Sequence, residues 1–187
     1  MSTVLCRPAE PGDVPEILAM IRELAAFEGL ARTVEADEAA LHDALFARDP
    51  KVFALIAVCG EEPAGFAACS YTFSTFQGRC GLYLEDLYIR PPWRRHGVGK
   101  RIFRELAAVA VREGCGRVAW DVHDWNSDAV AFYERQGAVA MNEMMTMRLE
   151  GEALRTLATT AQDGVGGDQL AASSISSMEP KARRSST

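Results

Sequence analysis

One stretch constrains this chain more than any other: an apolar run, Leu82–Ile89, that ends on Arg90-Pro91-Pro92 and is followed by Gly97-Val98-Gly99 at the head of an amphipathic segment. The run reads as a strand, and proline stops it because proline has no N–H to give a sheet ladder. Beyond Gly97, the residues Val98, Ile102, Leu106, Val109 and Ala110 recur at helical spacing and predict a helix to Glu113 with one face on a core. Strand, glycine loop and helix start together form an anion site, because free backbone N–H groups and the positive helix end converge on one point. Two familiar phosphate loops are excluded. A Walker loop needs glycine at the position Arg94 occupies and Ser or Thr where Arg101 stands, and a dinucleotide fingerprint needs glycine where Ile102 stands.

The rest of the sequence is read around that segment. Asp13 opens a helix with Ile17, Leu18, Ile21, Leu24 and Ala25 on one stripe, and Asp37 caps a second with Leu41 and Leu45 inward. The β runs Val52–Cys59 and Ala64–Phe73 flank a Gly60-Glu61-Glu62-Pro63 turn. Val118–Val122 is a further strand, Ser127–Arg135 a helix ending near Gly137, and Ala138–Met141 and Met144–Leu149 two last strands. Mixed strands and helices with hairpins in the middle predict an α/β domain on a largely antiparallel sheet with flanking helices. After Ala158 the composition turns to Ser and Gly with no aromatic residue, so residues 1–158 are expected to be the folded domain and 159–187 a disordered low-complexity tail.

Composition narrows the function. With 20 Lys and Arg against 26 Asp and Glu, the net charge of −6 argues against general nucleic-acid binding. The longest apolar run, Val52–Cys59, is too short to cross a membrane. Five cysteines, none spaced as C-x-x-C, fit reduced thiols in a cytoplasmic protein better than a disulfide framework or a zinc site. Asp121 and His123 share a strand face, but no third ligand has matching spacing, so no metal is expected.

The pattern Arg94-x-x-Gly97-x-Gly99 at a helix start resembles the pyrophosphate loop of the GNAT (Gcn5-related) N-acetyltransferase superfamily. Asp124-Trp125-Asn126 after a strand and the helix-ending Ala131-Phe132-Tyr133-Glu134-Arg135-Gln136-Gly137 resemble later family motifs in the same order. Phe27-Glu28, Ser74-Thr75-Phe76, Leu84-Glu85-Asp86-Leu87 and Trp125-Asn126 are most similar to the diamine (spermidine/spermine and thialysine) acetyltransferase branch. The resemblance implies the acyl-CoA N-acyltransferase fold and direct acetyl transfer from acetyl-CoA to a primary amine in a ternary complex.

It also implies roles for particular residues. Backbone amides of Arg95, His96, Gly97, Val98 and Gly99, with the Arg94 charge, would hold the cofactor diphosphate. Leu87, Tyr88 and Ile89 would line the cofactor, the N–H groups of Leu87 and Ile89 polarising the thioester carbonyl. Tyr133 would be the general acid and Asn126 a cofactor contact. Glu85 is a candidate base acting through water, and Glu28 and Thr75 are expected on the substrate side. From the residues alone, each has a plainer alternative. Tyr133 also suits a core position, Asn126 a helix cap, Glu28 an exposed charge. Glu85 alternates with Tyr83 and Leu87, which puts it on their sheet face at an edge or in a site.

Three departures from the branch are notable. Thr75 stands where polyamine-acetylating members carry an acid, Arg95 where many carry a smaller residue, and Met144-Met145 where the last hairpin often carries Trp. A thialysine-type or amino-acid amine is therefore expected ahead of polyamines, with a homodimer implied by the branch. The rival functions are acetylation of a protein lysine or N-terminus, and acyl-CoA binding without catalysis.

Overall fold

Short turns between the three central strands set the sheet, since strands joined by a tight turn pair antiparallel. The computed structural model describes residues 4–143 and 145–163. Strands β1 (Val4–Pro8), β2 (Val52–Cys59), β3 (Glu62–Ser74) and β4 (Arg79–Ile89) pair antiparallel in sequence order, and β5 (Val118–Ala119) joins β4 in parallel. Gly60, at φ 68, makes the β2–β3 turn in a conformation glycine adopts without a Cβ penalty.

Two helices, α1 (Val14–Phe27) and α2 (Glu38–Phe46), cover one face, and α3 (Val98–Arg112) covers the other. On the α1 side, Ile17, Met20 and Leu45 bury against Ile56, Phe66 and Tyr88. On the α3 side, Val98, Ile102, Leu106 and Ala110, one per turn, bury against Leu55, Ala67, Leu82 and Leu84. Burying a side chain such as Ile102 contributes about 1.5–3 kcal/mol, which is why a helix this polar on its outer face docks at all. Asp37 caps α2 as the sequence predicts, accepting from the Ala40 N–H at 2.8 Å. Asp13 precedes α1 but turns elsewhere: it takes both Arg7 nitrogens at 2.6 and 2.9 Å, and the Glu10 N–H. Arg90, just past β4, pairs with Glu23 and Glu16 and so ties α1 to the end of that strand.

The chain divides into two compact units, residues 1–136 and 137–187. The first holds the sheet, α1–α3 and α4 (Ser127–Glu134). In the second, the expected strands Ala138–Met141 and Met144–Leu149 are not formed among the described residues; Met144 itself lies outside them. Val139, Met141, Met145 and Met147 are strongly exposed there, so their alternation has no sheet edge to pair with in this unit. Helix α5 (Gly151–Asp163) runs past the boundary expected at residue 158, so residues 159–163 of the expected tail are helical. The remainder of that tail lies outside the described residues. The strand expected over Val118–Val122 stops at Ala119, which leaves β4 uncovered from Leu84 onward.

Candidate active site

A bulge in β4 organises the acids. Opposite β3, Ala68 pairs with Asp86 and Cys69 with Leu84, so Glu85 is the extra residue with no partner of its own. An unbroken strand would send Glu85 and Asp86 to opposite faces. Here both lie on the α1 side: Glu85 accepts from the Ser70 hydroxyl at 2.7 Å, and Asp86 faces Ala68 within the α1-side core. The expectation that Glu85 shares a face with both Tyr83 and Leu87 is corrected accordingly. It keeps the face of Tyr83, while Leu87 is carried across to pack with Leu82 and Leu84. Burial, with Glu28 and Glu85 adding like charge, pushes the Asp86 carboxyl up to about 6.

Glu28, at the C-terminal end of α1, faces the same place. It lies 3.8 Å from His123, whose ring stacks on Trp125 at 5.2 Å and 19°, and Trp125 meets Phe27 at 5.7 Å. Tyr133, on α4, has its ring held by Trp120 at 4.8 Å, Phe103 at 5.7 Å and Phe132 at 5.2 Å. Burial first, then the Glu28 charge, pushes the Tyr133 hydroxyl up to about 12. Among the described residues no group takes that hydroxyl in a hydrogen bond. The ring is half-buried among its aromatic neighbours, and its polar end is available. Asp121 is tied up by the Tyr83 hydroxyl at 2.9 Å. No cluster of three or more His, Cys, Asp or Glu suited to a metal occurs among the described residues.

The uncovered edge of β4 adjoins this cluster. The Arg90 N–H bonds the Ala64 carbonyl on β3, so by strand alternation the Tyr88 N–H also points to β3 and those of Leu87 and Ile89 point away, to the edge β5 does not reach. The Ile89 carbonyl on that edge accepts from Arg94 Nε at 2.9 Å. The Tyr88 side chain is buried on the α1 side, so only its backbone borders the edge.

From there the chain makes a loop with two left-handed residues, Arg95 at φ 63 and Gly97 at φ 83, before α3 begins. Arg95 is the only non-glycine residue with positive φ among the described residues, a conformation that costs about 1–2 kcal/mol and turns successive amides toward one side. The N–H groups of Arg95, His96, Gly97, Val98 and Gly99 bond no other group among the described residues, and the first helical bond is that of Arg101 to Gly97. A Cβ on Gly97 would meet nothing within 4 Å, so the space above the loop is open. The His96 Nδ1–H donates to the Arg94 carbonyl at 2.7 Å, and the Arg94 guanidinium lies over the Phe27 and Tyr88 rings at 5.1 and 5.6 Å. Asn126 caps α4, its Oδ1 accepting from the Ala129 N–H at 3.3 Å.

The structure thus brings Glu28, Glu85, Tyr133, the β4 edge and the 94–99 loop into one region. It does not bring Thr75. That residue sits beyond Ser74 at the exposed hairpin tip, five strand positions past Ser70, or roughly 16 Å. Sequence reasoning missed Asp86 as a site residue, although two adjacent acids inside an apolar run were the available signal. It also missed His123 as the neighbour of Glu28.

A sheet of this topology with an anion loop at the head of α3 defines an acyl-CoA-type transferase fold. Residues 18–138 match the acetyltransferase (GNAT) family model. Thialysine N-epsilon-acetyltransferase from Sus scrofa is 38% identical over 169 residues, covering 84% of this chain and 99% of that protein. L-ornithine N5-acetyltransferase from Arabidopsis thaliana is 32% identical, covering 81% and 86%. An integron cassette protein from the mobile metagenome of V. cholerae, at 26% identity, superposes with a TM-score of 0.70 over 84% of this chain and 98% of its own. The chain belongs to the GNAT acetyltransferase family, in its diamine branch, and is an enzyme that transfers an acetyl group to an amine.

Proposed function

We propose that this enzyme uses acetyl-CoA to acetylate the side-chain amine of a small amino acid or diamine, of the thialysine or ornithine type. The observation that carries this reading is the bulge, which sets two carboxylates on one face beside Glu28 and the unbonded Tyr133 hydroxyl.

The five free amides from Arg95 to Gly99 suit a diphosphate, with Arg94 adding charge and Asn126 a further contact. Acetyl-CoA, when bound, supplies the thioester. Leu87 and Ile89 offer their N–H groups to its carbonyl from the open edge. The acceptor enters as an ammonium, which Glu85 and Asp86 attract and relieve of a proton. Glu85, exposed beside Ser70, passes that proton to solvent through water, while Asp86 stands half-buried beside it. Tyr133 donates its hydroxyl proton to the departing sulfur; pushed up to about 12, that hydroxyl is protonated throughout the physiological pH range. Glu28, with the Phe27 and Trp125 rings, receives the acceptor's second cationic group. With Thr75 uncharged and remote, nothing in this chain extends that charge along a polyamine.

The five unbridged thiols support a cytoplasmic setting, and the alternating exposed side chains Val139, Met141, Met145 and Met147 support a homodimer in which that segment finds a partner. Steady-state thiol release from acetyl-CoA against a panel of amines tests the acceptor. Thialysine and ornithine should give the highest kcat/KM, with spermidine at least tenfold lower. Preference for spermidine or for a lysine peptide would overturn the assignment, and acetyl-CoA binding with no acceleration by any amine would make this a binding module.

A further inference from the structure

Two cysteines that lie 35 positions apart in sequence meet at the closed end of the β4–β5 pair. The Sγ atoms of Cys80 and Cys115 are 2.8 Å apart. The backbone brings them there: the Gly116 N–H bonds the Cys80 carbonyl at 2.8 Å and the Leu82 N–H bonds the Arg117 carbonyl at 2.9 Å. The packing is close, since a Cβ on Gly116 would stand 2.5–2.6 Å from Gln77 and Arg79 side-chain atoms. The Cys80 Sγ donates to the Glu113 carbonyl at 3.4 Å, which leaves the Cys115 S–H to point at Cys80.

We propose that Cys80 and Cys115 form a reversible intramolecular disulfide, an oxidation site separate from the acetyl-transfer machinery. The oxidant is a small disulfide such as oxidised glutathione. One thiolate attacks it, forming a mixed disulfide and releasing one reduced glutathione. The second cysteine thiolate then attacks the protein sulfur and releases the other. Two thiols are oxidised, one glutathione disulfide is reduced to two thiols, and both protons leave with the products. The neighbouring sulfur makes the second attack intramolecular, so the mixed disulfide does not accumulate. Both cysteines are partly exposed, whereas Cys6, Cys59 and Cys69 are buried. Burial keeps Cys6, Cys59 and Cys69 out of reach of the oxidant, so these three stay reduced and serve as an internal control. The Cys115 thiol, raised to about 11 by burial and by its bond with Cys80, makes the reaction slow unless the pH is raised. The bridge would fix the point from which β5 departs and the open β4 edge begins.

The test treats the intact reduced protein with oxidised glutathione at pH 8.5, then alkylates and maps the thiols by mass spectrometry. Expected are the loss of two thiols with no retained glutathione, a cross-link between the Cys80 and Cys115 peptides, reversal by dithiothreitol, and a Tm raised by roughly 5–15 °C. Cys80→Ser and Cys115→Ala should each retain one glutathione on the remaining partner and show no such rise. Five persisting thiols, a stable mixed disulfide on the unsubstituted chain, or a cross-link to any of the three buried cysteines would overturn the proposal. The unsubstituted chain alone supplies these readings if a variant fails to fold.

Discussion

At the scale of single residues, the proposed mechanism rests on two side chains whose surroundings oppose ionisation, to different ends. Tyr133 is held between aromatic rings with its hydroxyl pushed up to about 12, so it keeps its proton until it is needed. Tyr133→Phe should leave acetyl-CoA affinity within twofold and lower kcat by about 10²–10³, as read by calorimetry and thiol release. Asp86 is the reverse case, an acid that must lose its proton to work. Its carboxyl, raised from 3.8 to about 6, binds a proton more tightly in the folded than in the unfolded chain. Its charge therefore opposes folding in full above about pH 6, and that penalty fades as pH falls from about 6 toward 4, below which both states are protonated. Asp86→Asn should gain up to about 3 kcal/mol in urea denaturation at pH 8 relative to its effect at pH 4. The strand pattern offered Glu85 as a candidate, and the family resemblance offered Tyr133, but Asp86 was hidden, because alternation assumes an unbroken strand and the bulge is set by pairing with β3.

Among the elements, the loop between β4 and α3 was the most legible, because proline, glycine and helical spacing are local signals. Its left-handed residues explain the rest. Gly97 has open space beside it, so its need for glycine is one of backbone conformation. Gly97→Ala should cost about 1 kcal/mol of stability in thermal unfolding and weaken acetyl-CoA binding about tenfold or more by turning amides away. Helices α1 and α3 followed from their stripes of Ile17, Leu18, Ile102 and Leu106, apart from the exact bounds. The last two strands did not form. Their alternation was real, but a strand forms only against a partner edge, and the described residues of their own unit hold no strand to supply one. Contacts between distant segments, such as Glu28 with His123 and Cys80 with Cys115, carry no local signal and were illegible for that reason.

In the larger unit, the sheet has a buried face on each side while one edge of β4 is left half covered among the described residues, and the proposed chemistry uses that edge. The exposed Met145, Met147 and Leu149 side chains are the counterpart in the second unit. If they pair with a second copy, light scattering will give a dimer mass at micromolar concentration, and Met147→Asp will shift it toward monomer. A monomer for the unsubstituted chain would remove the dimer from the account.

The acid pair on the bulge is the central claim, and the pH dependence of turnover tests it most directly. At saturating acetyl-CoA, kcat/KM for the best acceptor should rise with pH through an inflection near 6, in addition to the acceptor's own ionisation, because Asp86 must be charged. In Asp86→Asn that inflection should vanish and the plateau fall by about 10²-fold or more. An unchanged profile and plateau in the variant would contradict the account.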